Sequence, residues 1–266
     1  MTAHAYLRYV ALGDSQTEGL GDGDDVRGLR GWADRLAERA AASSPELSYA
    51  NLAVRGRLAG AIRAEQLAPA LALKPDLATV CAGMNDLLRP RVDLDEVAGH
   101  LEAMFAALTG AGARVATLTF PDVARLIPMA RPLAPRAVAL NDRIREAAAR
   151  HGVVVAETSG YAFATDPRLW STDRLHASTF GHTWIATMVA DALGLPDDGR
   201  RPEPPPAAVR EGSALRSVGT ELRWAGTFLG PWLVRRVRGR SSGDGRRAKR
   251  PELLPVRAPS ADQPRC

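Results

Sequence analysis

Between residues 6 and 195 the apolar positions switch repeatedly between continuous short runs and a helical period. Tyr6–Leu12 is an apolar run closed by Gly13, and it predicts a buried strand. Gly31–Ala42 sets Trp32, Leu36 and Ala40 on one helical face. Leu47–Asn51 predicts a second strand, and Leu58–Leu73 a helix that ends before Lys74-Pro75. Asp76–Ala82 is a continuous apolar strand. Asp93–Leu108 has a helical period, with Asp93 as N-cap and Gly110 and Gly112 at its end. Arg114–Thr119 and Val153–Ala156 predict the fourth and fifth strands. Between them Pro135–Arg150 reads as a helix, with proline in its first turn and His151-Gly152 closing it. Phe180–Leu193 is the last helix, stopped by Gly194 and Pro196.

Strands alternating with helices of this length predict a parallel sheet covered on both faces. Right-handed crossovers then give an α/β fold, a three-layer α/β/α sandwich with a five-stranded parallel sheet. In such sheets ligands bind at the carboxyl ends of the strands. The alternation stops after Pro196, so residues 1–196 read as one domain and 197–212 as a Pro-rich linker. In 213–238, Leu215, Val218, Leu222, Ala225, Leu229 and Leu233 recur at spacings of three and four, which predicts an amphipathic helix kinked at Gly230-Pro231. Residues 239–266 are basic and poor in apolar side chains, and the expectation is disorder.

Composition narrows the class. With 45% hydrophobic and 24% charged residues in 266, the chain is an ordinary globular protein, and no run of about 20 apolar residues is present to span a bilayer. The net charge of +5 is unevenly spread: residues 1–199 carry 20 basic and 24 acidic side chains, and residues 200–266 carry 15 and 6. The basicity therefore belongs to the tail. Two cysteines, Cys81 and Cys266, are too few for a disulfide framework, and the N-terminus lacks the basic-then-apolar pattern of a secretion signal. The expected setting is cytoplasmic, with the tail as a candidate peripheral membrane contact.

Four short segments at predicted strand ends carry chemistry. Gly13-Asp14-Ser15 follows the first strand and puts a hydroxyl beside free backbone N–H groups. Gly56 follows the second, where a backbone N–H can approach a ligand unobstructed. Gly83-Met84-Asn85-Asp86 follows the third, with Asn85 as a neutral donor and Asp86 placed to cap or tie the loop. Asp173-Arg174-Leu175-His176 precedes the last helix and sets a carboxylate within reach of an imidazole Nδ1–H. Each segment alone is equally a cap, a turn or a surface pair.

Taken together and in this order, the four segments resemble the SGNH (GDSL-type) hydrolases, serine esterases and lipases of flavodoxin-like architecture. Gly13-Asp14-Ser15, Gly56, Gly83-Met84-Asn85-Asp86 and Asp173-Arg174-Leu175-His176 match four of that family's blocks over about residues 6–195. The resemblance implies that Ser15 is the nucleophile, His176 the general base and acid, and Asp173 its orienter. It also implies an oxyanion hole formed by the N–H groups of Ser15 and Gly56 and the amide of Asn85, with Asp14 and Asp86 in support. The sequence departs from the family at Gln16, where an apolar residue is common and would line the pocket. The implied reaction is hydrolysis of a small-molecule or lipid acyl ester through an acyl-enzyme. Carbohydrate deacetylation, acyl-thioester cleavage and a non-catalytic binding role are the alternatives. Intact chemistry at every block opposes the last.

Neither cofactor nor metal is predicted, because the histidines and cysteines form no ligand spacing. His182 reads as a packed or surface residue outside the chemistry, and Asp22, Asp24 and Asp25 as a solvated loop. The tail has three readings. It docks on the domain, or it binds an anionic membrane surface through residues 213–250, or it binds nucleic acid non-specifically, with no specific nucleic acid expected.

Overall fold

Apolar runs that cannot face water on either side pair with one another and draw amphipathic helices over both faces. The computed structural model describes residues 5–122, 127–196, 226–227 and 241–256. Its first half runs β1 (Arg8–Gly13), α1 (Ser15–Glu18), β2 (Gly23–Asp24), β3 (Gly28–Leu29), α2 (Trp32–Ser43), β4 (Ser48–Asn51), α3 (Ala59–Ala72) and β5 (Leu77–Cys81). The chain continues with α4 (Met84–Leu87), α5 (Leu94–Gly110), β6 (Arg114–Leu118), α6 (Ala134–His151), β7 (Val154–Ala156), α7 (Thr179–Leu193) and β8 (Arg250–Pro255). The main sheet has the order β7-β6-β5-β1-β4-β8. All its pairings are parallel except β4 with β8. Helices α2 and α7 pack on one face, and α3, α5 and α6 on the other.

Every predicted strand and helix of the domain is present within a few residues of its expected ends. The local causes are those in the sequence. Asp93 caps α5 by accepting from the Asp95 and Glu96 N–H groups, and Gly152 and Gly194 end α6 and α7 in the left-handed region. Strand β5 is buried along its whole length, as is β1 beyond Arg8. Tyr9 and Tyr49 stack at 4.9 Å across the paired strands.

The sheet has six strands, not five. Residues 239–266 were expected to be disordered, yet Arg250–Pro255 adds to the edge of β4 as an antiparallel strand. An edge strand needs no apolar face of its own, since the backbone supplies the pairing, and it tolerates Pro251 and Pro255. Specific polar contacts hold it. Arg250 Nε donates to the Tyr49 carbonyl at 2.8 Å and its guanidinium lies over the Tyr49 ring. Lys249 Nζ donates to Asp34 at 2.6 Å and to the Leu29 carbonyl at 3.0 Å. Arg246 pairs with Asp25 at 2.7 Å. Three basic residues counted toward a membrane surface are thus engaged within the chain. The linker expected over 197–212 and the helix expected over 213–238 lie outside the described residues, save 226–227. No helix among the described residues is long and apolar enough to cross a membrane.

His182 is fully buried at the start of α7. Its Nδ1 accepts from the Trp32 N–H at 3.1 Å and its Nε2 donates to the Leu20 carbonyl at 2.9 Å. The Nδ1 acceptor bond needs the neutral ring, and burial, outweighing the Leu20 bond, pushes its pKa down from 6.5 to about 4. The unfolded chain binds this proton at a higher pH than the folded one does. The stabilisation is therefore complete above pH 6.5 and is lost as pH falls toward 4, by about 3 kcal/mol. Urea unfolding of the protein and of His182→Gln from pH 4 to 7 should show this slope in the first and a flatter curve in the second. Parallel curves would refute it.

Candidate active site

Strand β1 lies between β4 and β5, so the loops leaving these three carboxyl ends meet at one rim. Gly13 closes β1 because nothing larger fits: a Cβ there would stand 2.4 Å from Thr17 Oγ1 and 2.8 Å from the Cys81 carbonyl oxygen. Asp14 then caps α1, accepting from the Gln16 N–H at 3.3 Å. Ser15 follows at the first helical position, where the backbone N–H has no intrahelical acceptor.

The loop before α7 arrives from the far end of the sequence. His176 Nε2 lies 2.9 Å from Ser15 Oγ, and His176 Nδ1 lies 2.6 Å from Asp173 Oδ2. The other carboxylate oxygen of Asp173 accepts from Ser171 Oγ at 2.7 Å and from the N–H groups of Leu175 and His176 at 2.9 and 3.0 Å. Burial opposes ionisation of Asp173, but the His176 ring, these N–H groups and the Ser171 hydroxyl outweigh it and hold the pKa well below the usual carboxylate range. Arg174 takes the left-handed conformation at φ 58°, which turns the chain tightly between the two side chains.

The Gln16 amide is engaged with the loop that carries His176. Its Nε2 donates to the Leu175 carbonyl at 3.0 Å, and its Oε1 accepts from the Ala177 N–H at 3.3 Å. One amide thus grips the backbone on both sides of His176. An apolar residue at that position could form neither bond.

Asn85 Nδ2 donates to Asp14 Oδ2 at 2.9 Å and to the Arg57 carbonyl at 3.0 Å, one residue past Gly56. Burial raises Asp14 to about 7, against the N–H of Gln16, the His176 ring and the Asn85 amide, which favour its charge. Asp86 Oδ2 accepts from the Ala59 N–H at 3.0 Å and so ties this loop to the start of α3. The structure therefore brings Ser15, His176, Asp173, Asp14, Asn85 and the Gly56 loop to one place, with Asp86 in the frame behind.

Two charged residues of this region escaped sequence reasoning. Arg55 donates its N–H and its guanidinium to the buried Glu18 at 2.6 and 2.7 Å, and its guanidinium also reaches Asp25 at 2.8 Å. The available signal was a pair of opposite charges at apolar strand ends, and nothing in their spacing joins them. Asp25 belongs to this network, and Asp22 pairs with Arg35, so the acidic loop is more than solvated surface. Trp170 donates its indole N–H to the Ala164 carbonyl at 3.0 Å.

The model of the GDSL-like Lipase/Acylhydrolase family matches residues 11–184. The chain belongs to this family. Among solved structures it resembles LAE5, an alpha/beta hydrolase enzyme from the metagenome of Lake Arreo, Spain, at 22% identity and a TM-score of 0.62, covering 73% of this chain and 98% of that one. It also resembles Axe2, an acetylxylan esterase from Geobacillus stearothermophilus, at 18% identity and a TM-score of 0.59, covering 74% of this chain and 98% of that one. No curated protein matches it in sequence. At these identities the structural likeness speaks for the fold, and the family match supports hydrolysis of acyl esters. The family match ends at residue 184 and leaves β8 outside it.

The Gln16 grip carries a consequence for rate. Each of its two bonds is worth about 1 kcal/mol net, and each 1.4 kcal/mol is about tenfold. Gln16→Leu should lower kcat for a short-chain ester about tenfold and leave Ser15 in place. An unchanged kcat would show that Asp173 alone positions the imidazole.

Proposed function

We propose that this GDSL-family protein cleaves acyl esters through an acyl-enzyme formed on Ser15. The reading rests above all on the 2.9 Å contact between Ser15 Oγ and His176 Nε2, two residues 161 positions apart. His176 Nε2 takes the hydroxyl proton as Ser15 Oγ attacks the ester carbonyl carbon. The ionised Asp173 accepts from Nδ1–H, which leaves Nε2 as the basic nitrogen and stabilises the imidazolium. The carbonyl oxygen, now negative, takes hydrogen bonds from the N–H groups of Ser15 and Gly56 and from the Asn85 amide. Both Asn85 hydrogens are held beforehand, by Asp14 and by the Arg57 carbonyl. The oxyanion competes for the one on the neutral carbonyl, and the Asp14 bond keeps the amide aimed.

Collapse of the tetrahedral species expels the alkoxide, which leaves as the alcohol with the imidazolium proton. Water then attacks the acyl carbon, giving its proton to His176, and the acid leaves as Ser15 recovers its hydrogen.

Deacetylation of a carbohydrate ester is the second reading. The acetylxylan esterases among the similar folds favour it. Initial rates on a series of nitrophenyl esters of increasing acyl length, beside acetylated xylo-oligosaccharides, separate the two.

Ser15→Ala should abolish ester hydrolysis with the fold intact. Asn85→Ala should lower kcat by about 10²–10³, the usual effect of losing one oxyanion donor. A Ser15→Ala protein that turns over at the original rate contradicts the assignment, and so does an Asn85→Ala protein that loses nothing.

A further inference from the structure

Gly56 needs outside help to offer its N–H in one direction. It sits in the left-handed region at φ 75°, and a glycine has more backbone freedom than any other residue. Three successive carbonyls around it are each met by a different neighbour. The Arg57 carbonyl accepts from Asn85. The Gly56 carbonyl accepts from the Ser241 hydroxyl at 3.2 Å. The Arg55 carbonyl lies against Gly243, where an added methyl carbon would stand 2.1 Å from its oxygen.

Two of these neighbours come from the turn leading into β8, far outside the residues that the family model matches. The turn is built to hold its hydroxyl. Ser241 Oγ accepts from the Gly243 N–H at 3.2 Å while it donates to Gly56, and Ser241 N–H donates to Asp244 at 2.9 Å. A Cβ on Gly56 would meet Ser241 Oγ at 2.4 Å and Ser242 Oγ at 2.8 Å. The turn is in turn tied down beside the loop. Arg246 binds Asp25, Asp25 binds Arg55, and Arg55 binds Glu18 of α1.

We propose that Ser241 is a positioning residue for the reaction: by holding the Gly56 carbonyl, with Gly243 packed against the Arg55 carbonyl on the other side, the turn before β8 restricts the Gly56 dihedrals that aim its N–H at the oxyanion. The inference rests on the acyl-ester reading above. A loosened donor acts on the transition state more than on the bound ester, so the effect belongs in kcat and not in KM.

The test compares the full-length protein with Ser241→Ala and Ser241→Thr on nitrophenyl acetate, with Ser15→Ala as the blank. Thermal melting of each protein checks folding. Ser241→Ala should lose about fivefold to tenfold in kcat, with KM and the pH profile unmoved, and Ser241→Thr should recover most of the loss. Three results would overturn the proposal while leaving the reading of Ser15 intact. They are an undiminished kcat in Ser241→Ala, a loss confined to KM, or a loss that threonine does not recover. If Ser241→Ala melts with the domain and cannot be assayed, Arg246→Ala replaces it, with the same expected loss confined to kcat, and an undiminished rate there counts against the proposal. If the unmodified protein cleaves no ester, the reading of the site fails first and the proposal fails with it.

Discussion

A hydroxyl and an imidazole separated by 161 positions can share a hydrogen bond only if two distant loops are fixed to a fraction of an ångström. The rest of the structure can be understood as what holds that bond. Placing β1 between β4 and β5 brings three loops to one rim. The packing of α7 on α2 delivers the fourth, and buried His182 pins the start of α7 to Trp32 and Leu20. Gln16 closes the last gap by gripping the backbone on either side of the imidazole.

The electrostatics follow one rule. Buried charge is admitted where it is met by several donors. Asp173 receives a hydroxyl, two N–H groups and the imidazole, and stays ionised. Glu18 receives Arg55 from both its backbone and its guanidinium. Asp14 has fewer donors and deeper burial, and its pKa rises accordingly. Asp173 and Asp14, both of which feel the imidazole, thus differ in proton affinity because their surroundings differ, not their chemistry.

Much of this was legible in the sequence. Periodicity located the parallel strands and main helices, because burial on both faces leaves an unmistakable apolar run at Leu77–Cys81 and at Tyr9–Gly13. The residues proposed for the site, Ser15, Gly56, Asn85, Asp173 and His176, stand at strand ends or before a helix, where each alone is equally a cap or a turn; the resemblance of their four segments to the GDSL-type hydrolases singled them out. Three features were not. The strand Arg250–Pro255 has no apolar period, because its stability comes from backbone pairing to β4 and from Lys249 and Arg250. The Glu18–Arg55–Asp25–Arg246 network joins four parts of the chain that no local pattern relates. Gln16 looked like a change in pocket lining, and only the three-dimensional arrangement shows its amide on the His176 backbone.

Ester cleavage through an acyl-enzyme requires Ser15 to become covalently acylated. Rapid acid quench of the protein with a slowly hydrolysed acyl ester, followed by peptide mass spectrometry, reads this directly. The expected result is one acyl group, on the peptide containing Ser15. Steady hydrolysis with no such adduct, or with the acyl group on another side chain, would contradict it.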